Sequence, residues 1–335
     1  MKSIVIQQPG KLVIEERPLP APGPGEVRVR VKRAGICGSD VHIFHGHNPF
    51  AKYPRTIGHE FFGHIDAVGE GVDISRTGER IVGDPVISCG HCYPCRIGKP
   101  NVCRELQVIG VHRDGGFSEY VTLPAQNAWC VPEGISDDEA AMVEPFTIAA
   151  NICSQMSPAE LDIALVYGAG PMGLTIIQAL RGVYGVREII VADKIDERLA
   201  MAKHNGADRI INNAHTDLSQ QLAGVMPTLI IDAACHPAIL PEAIALASPA
   251  GRIGILGFSD APCTITQQAI TSKELSLFSS RLNSRRFPMV IEWMKRRNID
   301  ALKLITHHYA FQDVMNAMDV FENNPKECCK VLLEF

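Results

Sequence analysis

Two rhythms of apolar and polar positions divide this chain. Up to about residue 150 the apolar residues fall in short alternating or β-branched runs, such as Val27 to Lys32, with a glycine every few residues. A period of two puts one face of each run inward and the other in water, so this texture predicts an irregular, mostly antiparallel β domain. Beyond it, short apolar runs alternate with longer helical stretches. The expected strands are Ile163 to Tyr167, Glu188 to Ala192, Arg209 to Ile211, Thr228 to Asp232, Arg252 to Leu256 and Leu275 to Ser279, with helices such as Pro171 to Tyr184 and Glu197 to His204 between them. Six apolar strands joined by helical crossovers describe a doubly wound parallel sheet. From about Arg281 the rhythm breaks. Helical segments near Phe287 to Arg297 and Gln312 to Phe321 lead into a last strand, Lys330 to Phe335, and this tail is expected to rejoin the first domain. The expected division is therefore 1–150, 151–280 and 281–335, with no internal repeat or low-complexity segment.

A chain of 335 residues exceeds the size at which one core keeps growing, which agrees with two domains. Its 46% hydrophobic and 21% charged residues are those of a soluble globular protein. A formal charge of -5 supplies no basic face for nucleic acid, and no run of Lys or Arg suggests a membrane surface. The start, MKSIVIQQPGK, has only Ile4 to Ile6 as an apolar stretch, far short of a signal-peptide core, so a cytoplasmic location is expected. The charge-free segment from Ile163 to Leu180 approaches the length of a membrane span. Gly168, Gly170, Pro171 and Gly173 interrupt it, however, and a buried strand turning into a buried helix gives the same hydropathy.

Eleven cysteines in a reducing compartment are not disulfides by default. Four of them, Cys89, Cys92, Cys95 and Cys103, are spaced C-x2-C-x2-C-x7-C in a turn-rich lobe at about residues 84–108. Four thiolates give a tetrahedral zinc every ligand it needs, so this is expected to be a closed, structural zinc site. Apart from these and Cys37, the other six (Cys130, Cys153, Cys235, Cys263, Cys328, Cys329) are expected to be small buried hydrophobes.

Val166-Tyr167-Gly168-Ala169-Gly170-Pro171-Met172-Gly173 supplies G-x-G-x-x-G directly after an expected strand and at the start of a helix. Gly168 permits the tight turn, Gly170 lets backbone approach a pyrophosphate, and Gly173 lets helix and strand pack closely. The helix that follows presents free amides and a positive dipole end to the diphosphate. Asp193 lies about 20 residues past Gly173, where a carboxylate accepts hydrogen bonds from the adenosine ribose hydroxyls. That carboxylate repels a 2'-phosphate, so NAD is expected over NADP, with the adjacent Lys194 able to soften the preference. Arg198 is a candidate to flank the adenine, and a solvated helix-face arginine is its alternative.

Upstream, Gly35-Ile36-Cys37-Gly38-Ser39-Asp40-Val41-His42 is followed by Gly58-His59-Glu60. Cys37, His59 and a third ligand would leave a tetrahedral metal with one open position, the arrangement of a catalytic zinc. For the third ligand, Glu60 is the local candidate and Glu144, near where a cleft is expected, the distant one.

The chain resembles the zinc-dependent medium-chain dehydrogenases over nearly its whole length. The residues that carry the resemblance are GICGSD from Gly35, GHEFFG from Gly58, the four-cysteine lobe, EPFTIA from Glu144 and GAGPMG from Gly168. It looks most like the branch of sorbitol and threonine dehydrogenases. That resemblance implies a GroES-like β domain beside a Rossmann domain, and two zinc ions per chain. It also implies Cys37, His59 and Glu144 as ligands of the catalytic ion, with Glu60 as the neighbouring acid able to approach the metal when water leaves. A proton relay follows from the same source, in which Ser39 accepts the substrate hydroxyl proton and passes it through the nicotinamide ribose to His42. Asp40 would orient the zinc histidine. Thr147 would lie beside the nicotinamide, and Lys330 near the diphosphate, where related enzymes carry an arginine; the lysine keeps the charge and gives up a bidentate fork.

The stretch HNPFAKYPR from His47 and the closing KECCKVLLEF look like the starvation-sensing dehydrogenases of enterobacteria and the enzymes that oxidise L-gulonate or L-galactonate. This implies a small-molecule polyol or sugar-acid substrate and a homodimer or homotetramer. An aldonate needs a cation, for which Lys52, Arg55, Arg113 and Arg281 are candidates. The competing readings are a regulatory protein that binds NAD and zinc without turnover, and an NADP-preferring alcohol dehydrogenase.

Overall fold

In the central strand of the larger sheet, Glu26–Gly35, Val27, Val29 and Val31 point inward and are buried while their neighbours are more exposed. This is the period-two pattern of a strand covered on one face. The computed structural model describes all 335 residues and divides them into two units, residues 1–144, 284–295 and 304–335 on the one hand, and 145–283 and 296–303 on the other.

The first unit is built on a seven-stranded sheet whose strands run Ala128–Cys130, Arg80–Gly83, Glu60–Val68, Glu26–Gly35, Lys330–Glu334 and Ile305–Ala310, with Tyr120–Pro124 pairing Glu26–Gly35 off this path. Both Glu60–Val68 and Lys330–Glu334 run antiparallel to Glu26–Gly35, and the register sets Gly35 opposite Glu60 on one side and Leu332 on the other. Three distant stretches of chain therefore meet at the residue after which the strand gives way to Ile36 and Cys37. A smaller sheet joins Lys11–Glu16, Lys2–Gln8 and Arg55–Thr56.

The second unit carries six parallel strands in the order Arg209–Asn212, Glu188–Asp193, Ile163–Tyr167, Leu229–Asp232, Arg252–Ile255 and Ser276–Ser279. Numbered within the unit this is 3-2-1-4-5-6, the doubly wound Rossmann order, so the protein is a mixed α/β chain with a dinucleotide-type sheet. Ile189, Ile190 and Val191 are consecutive and all buried, as they must be in a strand covered by helices on both faces. On one face Leu165, Ile190, Ile230 and Ile253 pack with Leu218, Leu222 and Ile244 from the crossover segments. Each such side chain contributes about 1.5–3 kcal/mol by leaving water. No helix is long and apolar enough to cross a membrane.

Three cysteines depart from the expectation of burial. Cys153, Cys328 and Cys329 are buried, but Cys130, Cys235 and Cys263 are exposed. Cys130 ends a strand at the margin of its sheet, and the other two lie in loops, where no second layer covers them. Composition marks cysteine as a small hydrophobe, but position within an element decides whether it is covered.

Candidate metal and nucleotide sites

The helix Gly38–Phe44 begins at Cys37, and its third residue, Asp40, reaches back to accept the Cys37 amide at 3.0 Å. The other Asp40 oxygen accepts the amide of Gly58 at 3.2 Å and stands 3.6 Å from Nδ1 of His59. A single wholly buried carboxylate thus ties the Cys37 turn to the His59 turn. Gly58 is at φ +91°, and a Cβ there would meet Phe117 at 2.1 Å, so glycine alone allows the chain to enter His59 at this angle.

One ligand atom from each of Cys37, His59 and Glu60 lies within 4.8 Å of the others. His59 Nδ1 is a buried atom without a hydrogen bond on the Asp40 side of the ring, and Glu60 Oε2 lies 2.5 Å from the Lys330 ammonium. A half-buried thiol beside a buried imidazole and a buried carboxylate, with their ligand atoms this close together, is a donor set that fits a zinc ion. Glu144 is buried outside that set but feels the charges of His59, Glu60 and Lys330. Burial pushes its carboxyl up to about 8, against the pull of His59. At His59 burial opposes the charged ring, but Asp40 and Cys37 outweigh it and hold the imidazole well above its usual pKa. The hydroxyl of Ser39 lies 3.4 Å from His59 Nε2. His42 is exposed, its ring 6.3 Å from that of His47.

Lys330, which the resemblance puts near a diphosphate, lies against this cluster. Its Nζ donates to Glu60 Oε1 at 2.6 Å and to the carbonyl of Ile36 at 3.0 Å. Burial works against its charge, but Glu60 and Cys37 outweigh that and raise its pKa. One signal in the sequence could have found this. A lysine at the head of the apolar strand Lys330–Glu334 must be buried with the strand, and a buried ammonium needs an anion.

In the lobe, the Cys92 and Cys95 sulfurs are 3.4 Å apart, Cys92 and Cys103 3.7 Å, and Cys103 and Cys89 3.4 Å. A disulfide requires about 2.05 Å. Tetrahedral thiolates at about 2.3 Å from zinc stand about 3.8 Å from each other, so the four sulfurs are spaced for a shared ion. Amides of Arg104 and Cys95, with neighbouring thiols, lower the Cys92 thiol to about 6, the state a metal needs.

In the second unit Gly168 sits at φ +91° and opens the turn into the helix Pro171–Gly182, whose first turn contains Met172 and Gly173. A Cβ on Gly173 would lie 1.9 Å from the Gly168 carbonyl oxygen, so this glycine is demanded by helix-to-turn packing. Gly170 differs. A Cβ there meets nothing nearer than the Arg198 guanidinium at 3.8 Å, so whatever requires close approach at Gly170 lies outside the chain. Asp193 ends the strand Glu188–Asp193 and accepts the amides of Ala169 at 2.7 Å and Ile195 at 2.9 Å. The carboxylate is thereby fixed beside the glycine turn, which fits a ribose above it. Thr147 is fully buried in the helix Val143–Met156, one turn after Glu144.

A glycine-turn Rossmann sheet together with a Cys-His-carboxylate cluster and a four-thiolate lobe defines a zinc-type dinucleotide dehydrogenase. The model of the alcohol dehydrogenase GroES-like domain matches residues 23–133, and that of the zinc-binding dehydrogenase matches residues 171–296. The starvation-sensing protein RspB of Escherichia coli K12 is 62% identical, with 100% of this chain and 99% of that protein covered. The L-galactonate-5-dehydrogenase of the same strain is 30% identical over 100% and 99%. The crystal structure of the rspB alcohol dehydrogenase of E. coli CFT073, complexed with NADH, superposes with a TM-score of 0.98 at 62% identity, covering 100% of this chain and 99% of that one. The chain belongs to the zinc-binding alcohol dehydrogenase family.

Proposed function

We propose that this protein oxidises a secondary hydroxyl of a polyol or sugar acid with NAD, in a zinc-dependent reaction. When bound, zinc supplies a Lewis acid that acidifies the hydroxyl and NAD supplies the hydride acceptor. The observation that carries the reading is the convergence of Cys37, His59 and Glu60 within 4.8 Å, with the Cys37 and His59 turns cross-tied by Asp40. Cys37, His59 and Glu144 hold the catalytic ion, with Glu60 as the adjacent acid. Cys89, Cys92, Cys95 and Cys103 hold the structural one. Ser39 takes the hydroxyl proton and exposed His42 releases it to solvent. Gly168, Gly170, Pro171, Met172 and Gly173 receive the diphosphate, Asp193 the adenosine ribose, Arg198 the adenine and Thr147 the nicotinamide side.

The substrate class is supported by the 30% identity to L-galactonate-5-dehydrogenase. Of the candidate cations, Arg55 pairs with Asp114 at 3.1 Å and Arg113 with Glu26 at 2.6 Å, which engages both. A cytoplasmic homodimer or homotetramer completes the reading. The exposed edge strand Ser276–Ser279 supports assembly, since its outer row of amides and carbonyls has no neighbour within its sheet. Purified protein is to be incubated with hexonates, pentonates and polyols, each with NAD and with NADP, while reduced cofactor is followed. Turnover of a sugar acid or polyol with NAD is the expected result, and none across the panel in protein holding two zinc ions per chain overturns the reading.

A regulatory role without turnover is the second reading, favoured by the name of the 62% identical relative. Zinc content separates the two, because a single ion confined to the lobe supports regulation.

A further inference from the structure

In the run Cys89-Gly90-His91-Cys92 a histidine stands between two of the four lobe cysteines. Gly90 is at φ +77°, so the chain turns sharply there, and the His91 carbonyl accepts Nε of Arg96 at 2.7 Å. The turn is pinned on its other side as well, since the Cys89 amide donates to Cys103 Sγ at 3.3 Å. The His91 ring folds back over it, with Nδ1 2.9 Å from the Cys89 carbonyl. A carbonyl oxygen can only accept, so Nδ1 carries the proton and the neutral ring keeps its lone pair on Nε2. A histidine held through one ring nitrogen by a backbone carbonyl is in the form that binds metal through the other.

Of the four cysteines, Cys89 alone belongs to a second group of metal-type donors. One ligand atom from each of Cys89, His91 and Glu105 lies within 4.8 Å of the others, and His91 Nε2 is 3.7 Å from Glu105 Oε1. This is the open side of the lobe. The His91 and Glu105 side chains are 75% and 68% exposed and Cys89 is half-buried, whereas Cys92 and Cys103 are buried. Four thiolates complete a tetrahedral zinc, so His91 has no corner to fill while Cys89 is bound. Three thiolates and an imidazole complete it as well, and make an equally closed structural site.

We propose that His91 is a reserve ligand of the lobe ion, which takes the corner of Cys89 when that thiolate is withdrawn and keeps the lobe closed around three cysteines and a histidine. The proposal rests on the reading of the lobe as a zinc site. It makes the four cysteines unequal: the corner of Cys89 has a substitute at hand, and that of Cys103 has none.

The test uses the full-length protein and reads zinc per chain, together with the visible spectrum after Co2+ replaces Zn2+. Cys89→Ala is expected to keep two zinc ions, and Cys89→Ala combined with His91→Ala to fall to one. Cys103→Ser also falls to one. In the cobalt form, Cys89→Ala is expected to lose part of the sulfur-to-cobalt charge-transfer intensity and to move its remaining bands to shorter wavelength, as a nitrogen replaces a sulfur. Cys89→Ala combined with Glu105→Ala keeps both ions; loss of one there gives the corner to the carboxylate and overturns the proposal. One zinc ion in Cys89→Ala overturns it too, as do two in the pair that lacks His91. Should Cys89→Ala not fold, His91→Ala with all four thiolates intact decides through the rate at which a chelator strips the lobe ion. Faster loss by about threefold or more, a low threshold beside the 10–100-fold effects of groups next to metal ligands, supports a reserve ligand, and any smaller change overturns it. A Cys103→Ser protein with as many ions as the wild type overturns the reading of the lobe itself.

Discussion

The wholly buried carboxylate of Asp40 stands 3.6 Å from Nδ1 of His59 while it accepts the amides of Cys37 and Gly58. It orients the imidazole and fixes the two turns that carry the thiolate and the ring. Asp40→Ala removes all three contacts and is expected to weaken zinc at the catalytic site by about 10–100-fold, measured by competition with a chromogenic chelator. Asp40→Asn, which keeps one acceptor oxygen, is expected to lose less. Equal zinc affinity in Asp40→Ala and the wild type would contradict the assignment.

The lobe separates from this site by chemistry. Cys103 Sγ accepts amides of Cys89 and Glu105, both at 3.3 Å, in addition to its place among the four sulfurs. Cys103→Ser is expected to lower metal content from two zinc ions to one and to open residues 89–103 to limited proteolysis, with the remaining ion resistant to the same chelator treatment. Retention of both ions would show that the four sulfurs do not share one.

The two glycines of the nucleotide turn predict opposite outcomes. Gly173→Ala forces a Cβ to within 1.9 Å of the Gly168 oxygen, so it is expected to cost about 1–3 kcal/mol of stability through overpacking. Gly170 has φ -77° and open space, so Gly170→Ala is expected to leave Tm nearly unchanged and to raise the KM for NAD. Thermal melts and NAD titrations of the pair check this. A large loss of Tm in Gly170→Ala would refute the claim that its constraint is external.

Asp193 is preorganised by the Ala169 and Ile195 amides. Asp193→Asn removes the charge and keeps an acceptor. Losing charged hydrogen bonds of about 1.5–3 kcal/mol is expected to lower kcat/KM with NAD by about 10- to 100-fold and to raise the NADP to NAD ratio. An unchanged ratio would place cofactor selection elsewhere.

Metal removal and pH are coupled through Glu144. In metal-free protein burial raises this carboxyl to about 8, above its unfolded value of 4.5, so the folded state binds more protons between those limits. Stability then falls as pH rises through that window, because the folded state must give up a proton it holds more tightly than the unfolded chain does. His59, also raised, has the same sign: its contribution is present below 6.5 and is lost as pH climbs through the higher folded value. Metal-stripped protein is therefore expected to lose Tm between about pH 5 and 8. Zinc-loaded protein is expected to hold its Tm across that window. Zinc addition below pH 8 should release protons in weakly buffered solution. A flat Tm profile in the stripped protein would contradict this coupling.

Much of the fold was legible because its signals are local. The six parallel strands show as apolar runs between helical stretches, since a strand covered on both faces needs apolar residues at every position, and the glycine turn shows because Gly168 and Gly173 answer steric demands within a few residues. The contact between Lys330 and Glu60 was not legible, for the opposite reason. The two lie 270 residues apart, and no spacing rule reaches that far. The exposed Cys130, Cys235 and Cys263 show the same limit, because whether a small apolar side chain is covered depends on which layer arrives above it.

By itself, the sequence determined which groups the chain can offer: a cysteine, a histidine and carboxylates of metal-ligand type, a four-cysteine lobe, a glycine turn after a strand and an acid at the end of the next strand. Only the tertiary structure decided how those groups constrain one another. Sheet register set Gly35 between Glu60 and the strand of Lys330, and Asp40 bound two turns together. Electrostatics in a buried volume acts between groups that are close in space, and nearness in space between residues far apart in the chain exists only once the sheet has formed.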